Sequence, residues 1–174
     1  MIKLKKNLVL TGMMGVGKTT IGKKLAERIS YEFVDIDKLI ESKEGFSITQ
    51  IFKNKGESYF RKIENETTLK QLKRDSLIIS LGGGAFLNRS IRRAVKKKSV
   101  SFWLDVEVNE LIKRLKKTRK RPMLLKKNLD VTVKKIYLNR KKTYNEADHR
   151  IKCTSISPEK VINTIIELYE KSTD

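Results

Sequence analysis

Short apolar runs and longer amphipathic stretches alternate along this chain. Leu8–Thr11, Phe33–Ile36, Leu77–Leu81, Val100–Leu104 and Arg150–Cys153 have the length and the apolar, β-branched character of buried strands. Between them, helical spacing runs over Lys18–Ile29, Lys38–Lys43, Ile48–Lys73, Ser90–Lys97, Glu110–Lys117, Val131–Tyr144 and Pro158–Lys171. Ile21, Leu25 and Ile29 recur every fourth residue, and Val161, Ile162, Ile165, Ile166, Leu168 and Tyr169 make a similar stripe, so each helix buries one face. Ser157 stands where an N-cap is expected and Pro158 occupies the first helical position. Strand and helix in alternation predict parallel βαβ units, an α/β fold with three layers, α/β/α. Ligands of such sheets bind at the carboxyl ends of strands. The residues just after each strand therefore carry the chemistry.

The first strand is followed by Gly12-Met13-Met14-Gly15-Val16-Gly17-Lys18-Thr19-Thr20, which fits G-x-x-x-x-G-K-[ST]. A strand must end, turn back and start a helix, leaving successive N–H groups pointing into one concavity where phosphate oxygens fit. Lys18 brings a compact cation to the β- and γ-phosphates, and the Thr19 hydroxyl is a ligand for Mg²⁺. A glycine-rich turn before a helix can be simple punctuation, but the full match between strand and helix predicts nucleoside triphosphate binding.

After the second strand come Asp35-Ile36-Asp37. In extended backbone, residues two apart share a face. One carboxylate can then hold a Mg²⁺-bound water while the other accepts a hydroxyl proton from the phosphoryl acceptor. Capping of the next helix is the plainer alternative for either aspartate. The third strand leads into Gly82-Gly83-Gly84, where backbone can approach a small ligand and offer N–H donors. Arg61 has Glu64 three residues on, a spacing that locks a guanidinium in place, and Arg140 stands on another helical pattern. Two fixed arginines can clamp a carboxylate, although each alone reads equally as a surface residue. Arg114–Pro122 is a dense basic patch ending in a helix breaker, either a mobile flap that brings Arg121 onto the phosphates or a nucleic-acid patch or solvated charge run. His149 and Cys153 have no partner at metal-binding spacing and are assigned to structure.

Composition narrows the reading. The 174 residues suit one domain, and no apolar stretch approaches a membrane span of about 20 residues. The basic start followed by Leu8-Val9-Leu10 is too short to be a targeting segment, and a single cysteine suits a reducing cytoplasm. Forty Lys+Arg against twenty Asp+Glu give a net charge of +20, which steers polyanions inward. The basic residues are spread through every segment and only 7% of residues are aromatic, which argues against a nucleic-acid stacking platform.

Taken together, the phosphate loop, Asp35-x-Asp37, Phe60-Arg61-x-x-Glu64, Gly82-Gly83-Gly84, Arg121-Pro122 and Arg140-x-x-x-Tyr144 occur in an order that resembles shikimate kinase, over nearly the whole chain. The resemblance implies a P-loop kinase fold with a five-stranded parallel sheet, a substrate-binding helical segment and a lid at about residues 112–126, all in one domain over residues 1–174. It implies transfer of the γ-phosphoryl of ATP to the 3-hydroxyl of shikimate, with Mg²⁺, by a cytoplasmic monomer that uses neither nucleic acid nor membrane. Matched by position, Gly12, Gly15, Val16, Gly17, Lys18, Thr19 and Thr20 would receive ATP, with Thr19 and Asp35 serving the metal. Asp37, Phe52, Phe60, Arg61, Gly82, Gly83, Gly84 and Arg140 would surround shikimate, with Asp37 as its base. Lys18, Asp37 and Arg121 would be the catalytic set, and Arg114 and Pro158 would flank adenine. The family usually carries proline two residues after its substrate-binding arginine, where this chain has Lys142. Two other readings remain at this stage: the same fold acting on gluconate or a nucleoside monophosphate, and a nucleic-acid-binding protein using the phosphate loop as a switch.

Overall fold

The computed structural model describes residues 6–117 and 128–173. Its five strands are β1 (Asn7–Thr11), β2 (Glu32–Asp35), β3 (Leu77–Ser80), β4 (Ser99–Asp105) and β5 (His149–Lys152), and they form one sheet in the order β2-β3-β1-β4-β5. Every pairing is parallel. The helices are α1 (Lys18–Ile29), α2 (Ile36–Glu44), α3 (Ile48–Gln71), α4 (Arg89–Lys98), α5 (Val108–Lys117), α6 (Leu129–Tyr144) and α7 (Pro158–Thr173). All residues of β1, β3 and β4 are buried, because helices cover both faces of the sheet centre. Edge strands β2 and β5 are only partly covered. The largest fully buried side chains are Trp103, Tyr144, Phe86 and Phe102, within one contiguous apolar core.

The strand ends are level. Leu10 pairs with both Ser80 and Phe102, and Asp35 pairs with Ser80. Beyond the end of β3, Leu81 N–H still donates to Leu10 C=O at 3.0 Å, so the Gly82–Gly84 loop leaves the sheet beside Gly12. From β1 the chain crosses to β2 on one side; from β3 it crosses to β4 in the opposite direction. Right-handed crossovers put the two connecting helices on opposite faces. The loops after β1 and β3 therefore diverge and leave a crevice between them.

Local chemistry sets the helix ends. Ser47 and Gln50 form a reciprocal capping box at the start of α3, and Asn88 caps α4 through its side chain. Ser157 caps α7 as expected, its Oγ accepting from Lys160 N–H at 3.3 Å. Two expectations need correction. The stretch Ile48–Lys73 is not one continuous helix: Gly56 has φ 82° and ψ 170°, so α3 is broken there. The second strand stops at Asp35, and α2 begins at Ile36, not at Lys38.

Candidate active site

The phosphate loop runs from β1 into α1 with its glycines doing different work. A Cβ on Gly12 would lie 2.6 Å from the Leu104 carbonyl oxygen, so main chain passes against main chain there. Gly17 is the N-cap of α1 at φ 98°, a left-handed conformation that starts the helix and leaves its first N–H groups facing the loop. Val16 is buried beneath the loop, and Thr20 faces outward from the first turn. Lys18 is buried, and its ammonium donates to the Gly12 and Met13 carbonyls at 2.9 Å each. The cation is thus held over the loop's own backbone. Thr19 Oγ1 donates to Asp35 Oδ2 at 2.6 Å.

Asp35 and Asp37 do not share an extended face, which corrects the reading from their spacing. The strand ends at Asp35, which is the N-cap of α2 and accepts from Lys38 N–H through Oδ1 at 3.3 Å. Asp37 sits in the first helical turn. Capping and metal-side placement turn out to be compatible, since Asp35 uses one oxygen for Lys38 and the other for Thr19. The helical step instead carries Asp37 over to the glycine loop. A Cβ on Gly82 would lie 2.6 Å from Asp37 Oδ1 and 2.7 Å from Glu64 Oε1.

The other two glycines each face an arginine. A Cβ on Gly84 would lie 2.7 Å from Arg61 Nη1, while Gly83 accepts from Arg140 Nη1 through its carbonyl at 2.9 Å. Gly83 also approaches the phosphate loop, its Cβ direction lying 3.5 Å from Met14 N. Gly84 has φ −101°, so this glycine is needed for room and not for an unusual backbone. Arg61 is held as its spacing predicts, by Glu64 at 2.8 Å, with Glu57 adding a second contact at 3.3 Å. Its guanidinium lies over the Phe60 ring, 5.2 Å from the centroid, and Phe52 packs against Phe60 with centroids 4.7 Å apart. Burial pushes the Glu64 carboxyl above its ordinary range; the Arg61 charge opposes this and the Asp37 charge adds to it.

One loop of three glycines thus touches Asp37, Arg61, Arg140 and the phosphate loop at once. The arrangement gathers two arginines and the carboxylates of Asp37 and Glu64 around one stretch of main chain, beside the phosphate loop. A protein-family model described as shikimate kinase matches residues 14–170. The chain belongs to the shikimate kinase family. A shikimate kinase of Sulfurihydrogenibium sp. is 42% identical over 161 residues, covering 92% of this chain and 96% of that protein. One from Persephonella marina is 39% identical over 161 residues, with 92% and 97% covered. The structure of the Acinetobacter baumannii shikimate kinase in complex with shikimate superposes with a TM-score of 0.91 at 30% identity, covering 97% of this chain and 94% of that one. The P-loop kinase fold with its five-stranded parallel sheet is the fold of shikimate kinase structures.

Among the remaining residues singled out by likeness to shikimate kinases, Arg114 lies on α5, paired with Glu110 at 3.1 Å, and its charge acts on Cys153 in the connection between β5 and α7. Pro158 is exposed at the start of that last helix. Arg121 and residues 118–126 of the expected lid lie outside the described residues. Sequence spacing missed Asp105, at the end of β4. Its Oδ2 accepts from Arg150 Nε and Nη2 at 2.9 and 2.6 Å, its Oδ1 accepts from Tyr137 at 3.0 Å, and Arg150 lies over the Trp103 ring at 4.7 Å. The strand-end rule that found Asp35 points to this carboxylate as well.

The donor set fits the family's cofactor. Thr19 and Asp35 present two hard oxygen donors side by side, and no cluster of three His, Cys, Asp or Glu side chains that could hold a metal occurs among the described residues. Mg²⁺ suits such a site, because it keeps several waters and takes phosphate oxygens in place of a full protein cage. No helix among the described residues is long and apolar enough to cross a membrane.

Proposed function

We propose that the chain transfers the γ-phosphoryl group of ATP to the 3-hydroxyl of shikimate, in the route to chorismate and the aromatic amino acids, and that the gathered residues divide the work as follows. Gly12, Gly15, Val16, Gly17 and Thr20 line the phosphate cradle, and Lys18 neutralises charge on the β- and γ-phosphates. Thr19 and Asp35 would hold Mg²⁺, which when bound would supply charge neutralisation at the phosphates. On the acceptor side, Arg61 and Arg140 bind the shikimate carboxylate, for which planar guanidinium donors are matched. The Gly82–Gly84 main chain lies along the ring, and Phe52 and Phe60 form its apolar wall. Asp37 accepts the proton of the attacking hydroxyl. Arg121 meets the transferring phosphoryl, and Arg114 and Pro158 flank adenine.

The observation that carries this reading is the glycine loop, where a side-chain atom at Gly82 would strike Asp37 and one at Gly84 would strike Arg61. The residues read as proton acceptor and carboxylate clamp thus lie against one backbone segment, which supports a small acceptor bearing both a hydroxyl and an acid. The chain acts as a monomer in the cytoplasm. The deciding measurement is ADP release with and without shikimate. Turnover should depend on shikimate and be indifferent to added RNA or DNA. Shikimate-independent turnover stimulated by nucleic acid would overturn the reading.

A further inference from the structure

Two donors from one helix converge on a single backbone oxygen. Arg140 Nη1 reaches the Gly83 carbonyl at 2.9 Å, and the Tyr144 hydroxyl donates to the same oxygen at 2.5 Å. The residues are one turn apart on α6, so their side chains leave the same face. A carbonyl oxygen has two lone pairs, and these two donors use both. The peptide unit is planar, so fixing the Gly83 carbonyl also fixes the direction of the Gly84 N–H on its other edge.

Tyr144 is buried and among the largest fully buried side chains, its ring tilted against Trp103 with centroids 5.9 Å apart. Its hydroxyl also lies 3.9 Å from the Met13 sulfur, and Met13 is the residue whose carbonyl helps to hold Lys18. One hydroxyl therefore stands where the phosphate loop, the glycine loop and α6 meet. Gly83 has no side chain of its own to resist rotation of its peptide. Without the hydroxyl, the Arg140 guanidinium would be the only side chain holding that carbonyl among the described residues, and it is itself only half-buried.

We infer that Tyr144 is a positioning residue: through the shared Gly83 carbonyl it sets Arg140 and the Gly84 N–H for the acceptor's carboxylate. Burial pushes the Tyr144 phenol above its ordinary range, so it remains a donor throughout the neutral and mildly alkaline range. The inference rests on Arg140 binding the carboxylate of shikimate, as proposed above.

Tyr144→Phe removes one oxygen and keeps the ring in the core. It should raise the KM for shikimate about ten-fold, the scale of one well-placed hydrogen bond, with little change in the KM for ATP. The informative comparison uses the acceptor analogue in which hydroxymethyl replaces the carboxylate. Wild type should prefer shikimate strongly. Tyr144→Phe should lose about ten-fold of that preference because its turnover of the analogue hardly changes. A Tyr144→Phe protein that fails to fold, or that loses both acceptors and ATP alike, overturns the inference, since the hydroxyl then serves only the core. Arg140→Ala separates the two levels. If it leaves the preference intact, the reading of Arg140 is wrong; if it abolishes the preference while Tyr144→Phe does not, only the role of Tyr144 falls.

Discussion

Thr19 donates its hydroxyl proton to Asp35 at 2.6 Å, tying the first turn of α1 to the cap of α2. The same carboxylate caps α2 through its other oxygen, so one side chain holds both Thr19, with which it is proposed to serve the metal, and the helix that carries Asp37. Asp35→Asn separates these tasks. Asparagine caps helices as well as aspartate does, so thermal stability should change by less than about 0.5 kcal/mol. The Mg²⁺ concentration for half-maximal activity should rise about ten-fold with loss of the charge. A metal titration beside a melting curve checks both.

Asp37→Asn keeps the shape of the helical turn and removes the carboxylate proposed as proton acceptor. The kcat should fall roughly 10²- to 10⁴-fold, the range for a single general base. ATP should still bind, as measured by nucleotide fluorescence or calorimetry. A variant with near-normal kcat would exclude Asp37 as the base.

Gly84→Ala places a methyl group 2.7 Å from the Arg61 guanidinium. The guanidinium must shift from its pairing with buried Glu64, so stability should fall by about 1–3 kcal/mol. The displaced guanidinium should raise the KM for shikimate and leave that for ATP unchanged. Steady-state kinetics on both substrates tests this.

Cys153 is buried, and burial pushes its thiol up to about 11 from its ordinary value of 9.0. The folded state therefore holds the proton to higher pH than the unfolded chain does. Its contribution to stability is complete below pH 9.0 and is lost as pH rises toward about 11. Denaturation midpoints between these limits should fall less steeply for Cys153→Ala than for wild type. Labelling of native protein by a thiol reagent at pH 8 should be slow and should accelerate on unfolding.

Much of this architecture is legible in the order of residues. The strands and helices fall within a few positions of where apolar period and capping residues put them, because these are local properties. The Arg61–Glu64 pair follows from spacing on one helix. What spacing could not supply was the direction of side chains beyond a strand end. Asp35 and Asp37 read as neighbours on one extended face, yet helix formation begins between them and turns Asp37 toward Gly82. Gly56 was hidden inside a long amphipathic pattern that its left-handed backbone interrupts. The partners of Tyr144 and Asp105 lie far away in the sequence, at Gly83 and Arg150, and only the packed sheet brings them together.

Selection for a different acceptor would meet an obstacle in the glycine loop. The surface that Gly82, Gly83 and Gly84 present is peptide, so there is no side chain to trim for a larger molecule. Additions at Gly82 or Gly84 collide with Asp37 and Glu64 or with Arg61. New specificity in this scaffold must therefore come from the side chains around the loop, such as Phe52 and Phe60, while the backbone stays as a fixed template.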